Sequence, residues 1–218
     1  MKTELEQVLP EDIEKRSFEI ISEELLTRYP EFTCTPQEEL ILKRVIHTTA
    51  DFDYAENLIF SEGAVKQALE ALKNGAVIVT DTNMGKAGIN KKSLEKLGSQ
   101  VYCFMADPDV AEKAAKEGTT RAAASMDKTA EMGKDCIIAV GNAPTALVRL
   151  YELVQEGRLS PKLIIGVPVG FVNVVQSKEM ILSLEHTPYI VARGRKGGSN
   201  IAACICNALL YMIDNRRD

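Results

Sequence analysis

Between Ala76 and Gly194 five short apolar runs punctuate the chain: AVIVT (76–80), QVYCFM (100–105), CIIAVG (136–141), LIIGV (163–167) and YIVARG (189–194). Runs this short and this continuously apolar predict strands covered on both faces. The segments between them, KKSLEKLG, DVAEKAAKEG, RAAASMDKTAEMG, APTALVRLYELVQEG and KEMILSL, place apolar residues at helical spacing. Such alternation predicts an α/β fold: a mainly parallel sheet with helices on both faces, in three layers.

A helical lead-in, about 10–75, precedes the first run. It opens at Pro10 with EDIEKRSFEIISEELL, and a second helix starts at TCTPQEEL. There Thr35 is the N-cap, Pro36 the first helical residue and Glu38 the far side of a capping box. A third helix carries Ala64, Val65, Ala68, Leu69 and Leu72 on one stripe and stops at Asn74–Gly75. The closing helix, SNIAACICNALLYMI, is apolar almost all round, which places it in the core or against another subunit. No repeat, low-complexity tract or linker divides the chain, so one domain over 1–218 is expected.

Composition narrows the function classes. A length of 218 residues suits one domain, and a net charge of −5 argues against electrostatic binding to nucleic acid. No apolar run is long enough to span a bilayer, and the acidic start has no hydrophobic signal core, so no membrane association and a cytoplasmic location are expected. Five cysteines, an odd and scattered set, do not form a disulfide framework. Cys204 and Cys206 sit two apart on an apolar helix, face different sides of it and read as core residues. Two histidines and no clustered carboxylates or thiols argue against a metal held by the protein.

In open α/β sheets ligands bind beyond the carboxyl ends of the strands. Here those loops are DTNMGKAG, ADPD, GNAPT, GVPVGF and RGRKGG, rich in glycine and proline and carrying Asp81, Thr82, Asn83, Asn142, Thr145, Arg193 and Arg195. Glycine and proline mark turns in any case; the polar side chains gathered with them point to a shared ligand site. No G-x-G-x-x-G follows the first run, and neither a phosphate-loop motif nor a G-x-S-x-G elbow is present. What remains is a polar site with cationic spots. RGRKGG sets three positive charges before a helix start, and Arg121 opens another helix, an arrangement suited to a carboxylate-rich ligand or, equally, to a solvated basic turn.

His47 completes the set. On a helix from Pro36, Ile41, Leu42, Val45, Ile46 and Thr49 share one arc, and His47 falls on the opposite one with Lys43 and Arg44. It therefore faces solvent or a cleft, where an imidazole can give or take a proton near neutral pH. Two cations close by would oppose its protonation. His186, in LEHTPY, reads as a loop residue without a role.

The segments RSFEII, the His47 helix, GNAPTAL, GVPVGFVNVVQSKE and RGRKGGSNIAA, in this order over nearly the whole chain, resemble the precorrin-8X methylmutase family. The resemblance implies an α/β homodimer with active sites near the subunit interface. It implies an isomerase that moves a methyl group from ring carbon 11 to ring carbon 12 of a corrin precursor, in cobalamin biosynthesis. His47 matches the active-site histidine that acts on a proton of the tetrapyrrole. Substrate-binding candidates are Ser17, the best supported by the family pattern, with Arg16, Thr82, Arg121, Asn142, Thr145, Arg193 and Arg195. No cofactor of the protein's own is implied; cobalt, where present, travels inside the substrate. The hydroxyl-rich Thr48, Thr49 and DTNMGKAG lean toward the cobalt-dependent branch. A tetrapyrrole carrier without turnover is the competing reading, and a methyltransferase using S-adenosylmethionine is disfavoured by the missing glycine-rich loop.

Overall fold

The computed structural model describes residues 5–214; the remaining terminal residues of the expected 1–218 domain lie outside that range. A 3₁₀ turn at Pro10–Asp12 leads into α1 (Ile13–Arg28), followed by α2 (Pro36–Thr49), α3 (Tyr54–Asn57), β1 (Leu58–Phe60) and α4 (Ala64–Lys73). Then come β2 (Val77–Thr80), α5 (Asn83–Gly88), α6 (Lys91–Lys96), β3 (Val101–Tyr102), α7 (Pro108–Glu117) and α8 (Arg121–Glu131). The chain continues through β4 (Cys136–Val140), α9 (Pro144–Gln155), β5 (Leu163–Gly166), α10 (Val174–Leu182), β6 (Tyr189–Ala192) and α11 (Ser199–Ile213).

The strands form one sheet in the order β1-β6-β5-β4-β2-β3, parallel throughout except for β1 against β6. Strand side chains alternate between two cores, as the period of two requires. Ile78, Ile137, Ala139, Leu163, Ile165, Ile190 and Ala192 pack under α2, α4 and α11. Val77, Val79, Ile138, Val140, Ile164 and Val191 pack on the other side under α8, α9 and α10. The expected three layers are present.

Local chemistry sets the element ends. Glu38 N–H donates to Thr35 Oγ1 (3.3 Å) while Thr35 N–H donates to the Glu38 carboxylate (2.9 Å), closing the capping box that starts α2. The same helix stops at Ala50, which turns into the left-handed region (φ 54°). Helix α11 resolves its own ambiguity: Ile201, Ala202, Ile205, Cys206, Leu209 and Leu210 are buried within this chain, so its apolar surface is spent in the core.

Four features depart from the sequence reading. Strand β1 lies inside the lead-in expected to be helical; three residues are too few for a periodic signal, and backbone pairing with β6 makes them a strand. The QVYCFM run yields only Val101–Tyr102 as strand, both half-buried because β3 is an edge. DTNMGKAG is not an open loop: Thr82 caps a short helix over Asn83–Gly88. Helix α10 starts before KEMILSL, at Val174, after the left-handed Asn173. Replacing Thr35 by Ala removes the cap acceptor from α2 and should cost about 1 kcal/mol, read as a lower urea midpoint at unchanged slope.

Candidate active site

The strand order reverses between β2 and β4, and the crevice beyond such a switch point is where α/β sheets usually receive ligands. In this protein the crevice is filled from within. The Asp81 carboxylate, just past β2, accepts N–H bonds from Gly141 (2.9 Å), Asn142 (2.8 Å) and Ala143 (2.7 Å), just past β4. Burial pushes the Asp81 pKa up, and the backbone N–H bonds work against that shift. The β6–α11 corner closes the crevice from above, because a Cβ on Gly141 would lie 2.6 Å from Ser199 Cα. Asp81, which sequence reasoning left among the loop polar groups, is thus the anchor of the GNAPT loop.

Around that plug the carboxyl-edge side chains sort into pairs. Thr82 Oγ1 lies 2.8 Å from Ser199 Oγ while capping α5. Thr145 Oγ1 lies 2.9 Å from Thr120 Oγ1, the N-cap of α8, and so stands beside Arg121, the first residue of that helix. Arg121, Asn142 and Thr145 are all exposed at this edge. Of the three cations in RGRKGG, Lys196 bonds Asp51 and Asp53 at 2.6 Å each, tying the loop to the end of α2. Those bonds hold its ammonium pKa above the usual value. Arg193 lies 3.4 Å from Glu179, and the Arg195 guanidinium lies over the Phe171 ring at 5.4 Å. The same loop is held from beneath by Lys178 of α10. Lys178 is fully buried and donates to the carbonyls of Gly194 and Lys196, 2.8 Å each.

His47 lies on the outer side of α11. It lines a cleft of about 310 Å³ together with Arg44, Thr48, Gly88, Asn200, Cys204, Asn207 and Tyr211. His47 is exposed, as its arc predicts, and its ring stacks on Phe18 with centroids 5.4 Å apart. The nearby cations are neutralised: Lys43 pairs with Glu39 (2.6 Å), and Arg44 pairs with Glu14 (3.3 Å) while lying over the Phe18 and Tyr211 rings. Asn207 fixes the opposite wall, accepting from Asn90 N–H (2.8 Å) and donating to Gly88 O (2.9 Å).

Two of the expected binding residues are less well placed. Arg16 is drawn to Glu6 (2.7 Å), and the Ser17 hydroxyl donates back to Ile13 O (2.8 Å). Both precede Phe18 on the same helix, and it is Phe18 whose ring stacks on His47. Cys204 is a correction to the core reading: it is half-buried on the cleft wall, 3.2 Å from the Thr48 hydroxyl. Burial raises its thiol pKa. The signal missed in sequence is the stripe Asn200, Cys204, Asn207, Tyr211 along α11, spaced by four, three and four residues. That spacing is one face of a helix.

A three-layer sheet with polar loops at its carboxyl edge, beside a cleft holding an exposed imidazole, has the architecture of an α/β enzyme. The family description "Precorrin-8X methylmutase" matches residues 12–212. A cobalt-precorrin-8 methylmutase of Salmonella typhimurium is 46% identical over 204 residues, covering 93% of this chain and 95% of the relative. A precorrin-8X methylmutase of Pseudomonas aeruginosa is 38% identical, covering 78% and 82% respectively. The crystal structure of a precorrin-8X methyl mutase from Thermus thermophilus superposes with a TM-score of 0.84 at 36% identity, over 94% of this chain and 98% of that one. The chain belongs to the precorrin-8X methylmutase family.

Among the described residues no group of three or more His, Cys, Asp or Glu is placed to hold a metal ion, and no helix is long and apolar enough to cross a membrane. Asp81→Asn should strand buried backbone donors of the GNAPT loop and destabilise the fold by about 3 kcal/mol. Urea denaturation measures the loss.

Proposed function

We propose that this chain is an isomerase of cobalamin biosynthesis that moves a methyl group from ring carbon 11 to ring carbon 12 of cobalt-precorrin-8. Family membership over nearly the full length supports the reaction class. The cobalt-bearing substrate is supported by the higher identity to the cobalt-precorrin relative, and by the Thr48 hydroxyl on the cleft wall next to His47. The methyl group stays within one molecule, so the reaction consumes no donor, and the metal is part of the substrate. The protein needs no cofactor of its own for this chemistry.

One observation carries the mechanism: an exposed imidazole on a cleft wall whose neighbouring cations are already paired with carboxylates. Lys43 is engaged by Glu39 and Arg44 by Glu14, so the His47 ring is the cleft-wall group left to meet a substrate proton site. The imidazolium donates toward a nitrogen or the conjugated system of ring C, draws electron density as the methyl migrates and holds the rearranged tautomer. General acid assistance of this kind is worth roughly 10²- to 10⁴-fold. The remaining acceleration comes from holding the macrocycle so that the two carbons are in line. Arg121, Asn142, Thr145, Thr82, Arg193 and Arg195 along the carboxyl edge, with Arg16 and Ser17 beside Phe18, receive the peripheral acetates and propionates.

A cleft of about 310 Å³ sits at the low end for ligand pockets, so it takes one edge of a macrocycle and leaves the rest to a second wall. A homodimer supplies that wall. Exposed Leu9, Ile13 and Ile20 on and before α1, next to Phe18, offer apolar surface for it. The expected place of work is the cytoplasm.

His47→Ala should lower turnover by about 10²- to 10⁴-fold and still bind the corrin product. Unchanged turnover would remove the acid role, and a wild-type protein that binds without converting would be a carrier. Cobalt-containing and metal-free substrates compared side by side by absorption should show conversion of the cobalt form; conversion of the metal-free form alone reverses the branch. Sedimentation at micromolar concentration should give a dimer, and a monomer would count against the shared wall.

A further inference from the structure

Lys178 is the one fully buried lysine among the described residues, and no carboxylate lies within ion-pair reach of it there. Burial alone pushes its ammonium down to about 8. A methionine of similar length would fill the same space without burying a charge. What lysine adds is a set of three N–H donors, and two of them meet the carbonyl oxygens of Gly194 and Lys196, on either side of Arg195.

That bonding has a consequence on the far side of the loop. In a trans peptide the C=O of one residue and the N–H of the next share a plane and point opposite ways. Drawing the Gly194 and Lys196 carbonyls inward therefore turns the N–H groups of Arg195 and Gly197 outward. Neither N–H has an acceptor among the described residues. The backbone can hold this shape because Gly194 (φ 77°), Gly197 (φ 155°) and Gly198 (φ 143°) occupy conformations that side-chain-bearing residues rarely adopt. A Cβ on Gly197 would also run into the Val167 carbonyl. The Arg195 carbonyl accepts from Gly170 N–H at 3.2 Å, so all three carbonyls from 194 to 196 are occupied from within.

We propose that Lys178 is a positioning residue for carboxylate recognition: it holds the 194–197 backbone so that the N–H groups of Arg195 and Gly197 receive a substrate carboxylate beside the Arg195 guanidinium. Successive outward N–H groups form an anion-binding concavity, and the buried ammonium behind them adds positive potential. The inference rests on the reading that the chain binds a carboxylate-bearing corrin.

The test uses cobyrinic acid and its fully methyl-esterified form as probes, with the full-length wild type, Lys178→Met and Lys178→Gln. Circular dichroism and melting first select the folded variants; glutamine keeps two donors without the charge and serves where methionine does not fold. Lys178→Met should weaken binding of the acid by about tenfold, the value of one charge-assisted hydrogen bond, and leave binding of the ester unchanged. With the cobalt-precorrin substrate its KM should rise more than its kcat falls, and Lys178→Gln should restore part of the loss. In ¹⁵N–¹H spectra of the wild type, the amide signals of Arg195 and Gly197 should move when the acid is added and stay when the ester is added. Wild-type affinity and KM in a folded variant, or unmoved amides at saturating acid, would overturn the role of Lys178 while leaving the enzyme's function standing. A wild type that neither binds nor converts the corrin would remove the function, and this inference with it.

Discussion

The site depends on helix α11 burying apolar side chains around most of its circumference. Ile201, Ile205, Leu209 and Leu210 go into the core above the sheet, and Gly141 admits the start of the helix because a larger residue would collide with Ser199. With three sides occupied by the sheet, α4 and α2, one stripe remains: Asn200, Cys204, Asn207 and Tyr211. Helices α2 and α5 stand on either side of that stripe, and their separation is the cleft. His47 belongs to this cleft because Ile41, Leu42, Val45 and Ile46 anchor the opposite face of α2.

The charged groups of the carboxyl edge divide by job. Asp81, Lys178 and Lys196 bind backbone or partner carboxylates and shape loops, so their charges are consumed in the fold. Arg121 and Arg195 are exposed and meet no carboxylate among the described residues, so they can receive an anionic ligand. Burial explains it for Asp81 and Lys178, whereas exposed Lys196 is held by two aspartates. A buried charge must be fully hydrogen-bonded to be tolerated, and that requirement makes it a strut rather than a receptor. The switch-point crevice, filled by Asp81, is the clearest instance: a place that receives ligands in related architectures here fixes the loop on which Asn142 and Thr145 stand.

Much of the fold was legible because its signals are local. The capping box of Thr35 and Glu38, the stripe of α4 and the continuous apolar runs CIIAV and LIIG depend on neighbours in sequence, and the structure holds them where periodicity placed them. Strand β1 and helix α5 escaped for the opposite reason. Three residues at Leu58–Phe60 become a strand only through backbone bonds to β6, and in Asn83–Gly88 two glycines hide a short helix whose cap, Thr82, also meets Ser199 far along the chain. Cys204 was misplaced because an almost wholly apolar helix hides the one face that is not core.

The sequence by itself determined the order of layers, the arc on which His47 stands and the family whose motifs the chain carries, since each is written in spacing along one segment. Only the tertiary structure decided which polar groups meet. Asp81 and Gly141 are 60 residues apart, Thr82 and Ser199 are 117, and Lys196 and Asp53 are 143. No periodicity links such pairs. They come together because parallel β2, β4 and β6 bring their carboxyl ends to one edge, and antiparallel β1 starts at that same edge.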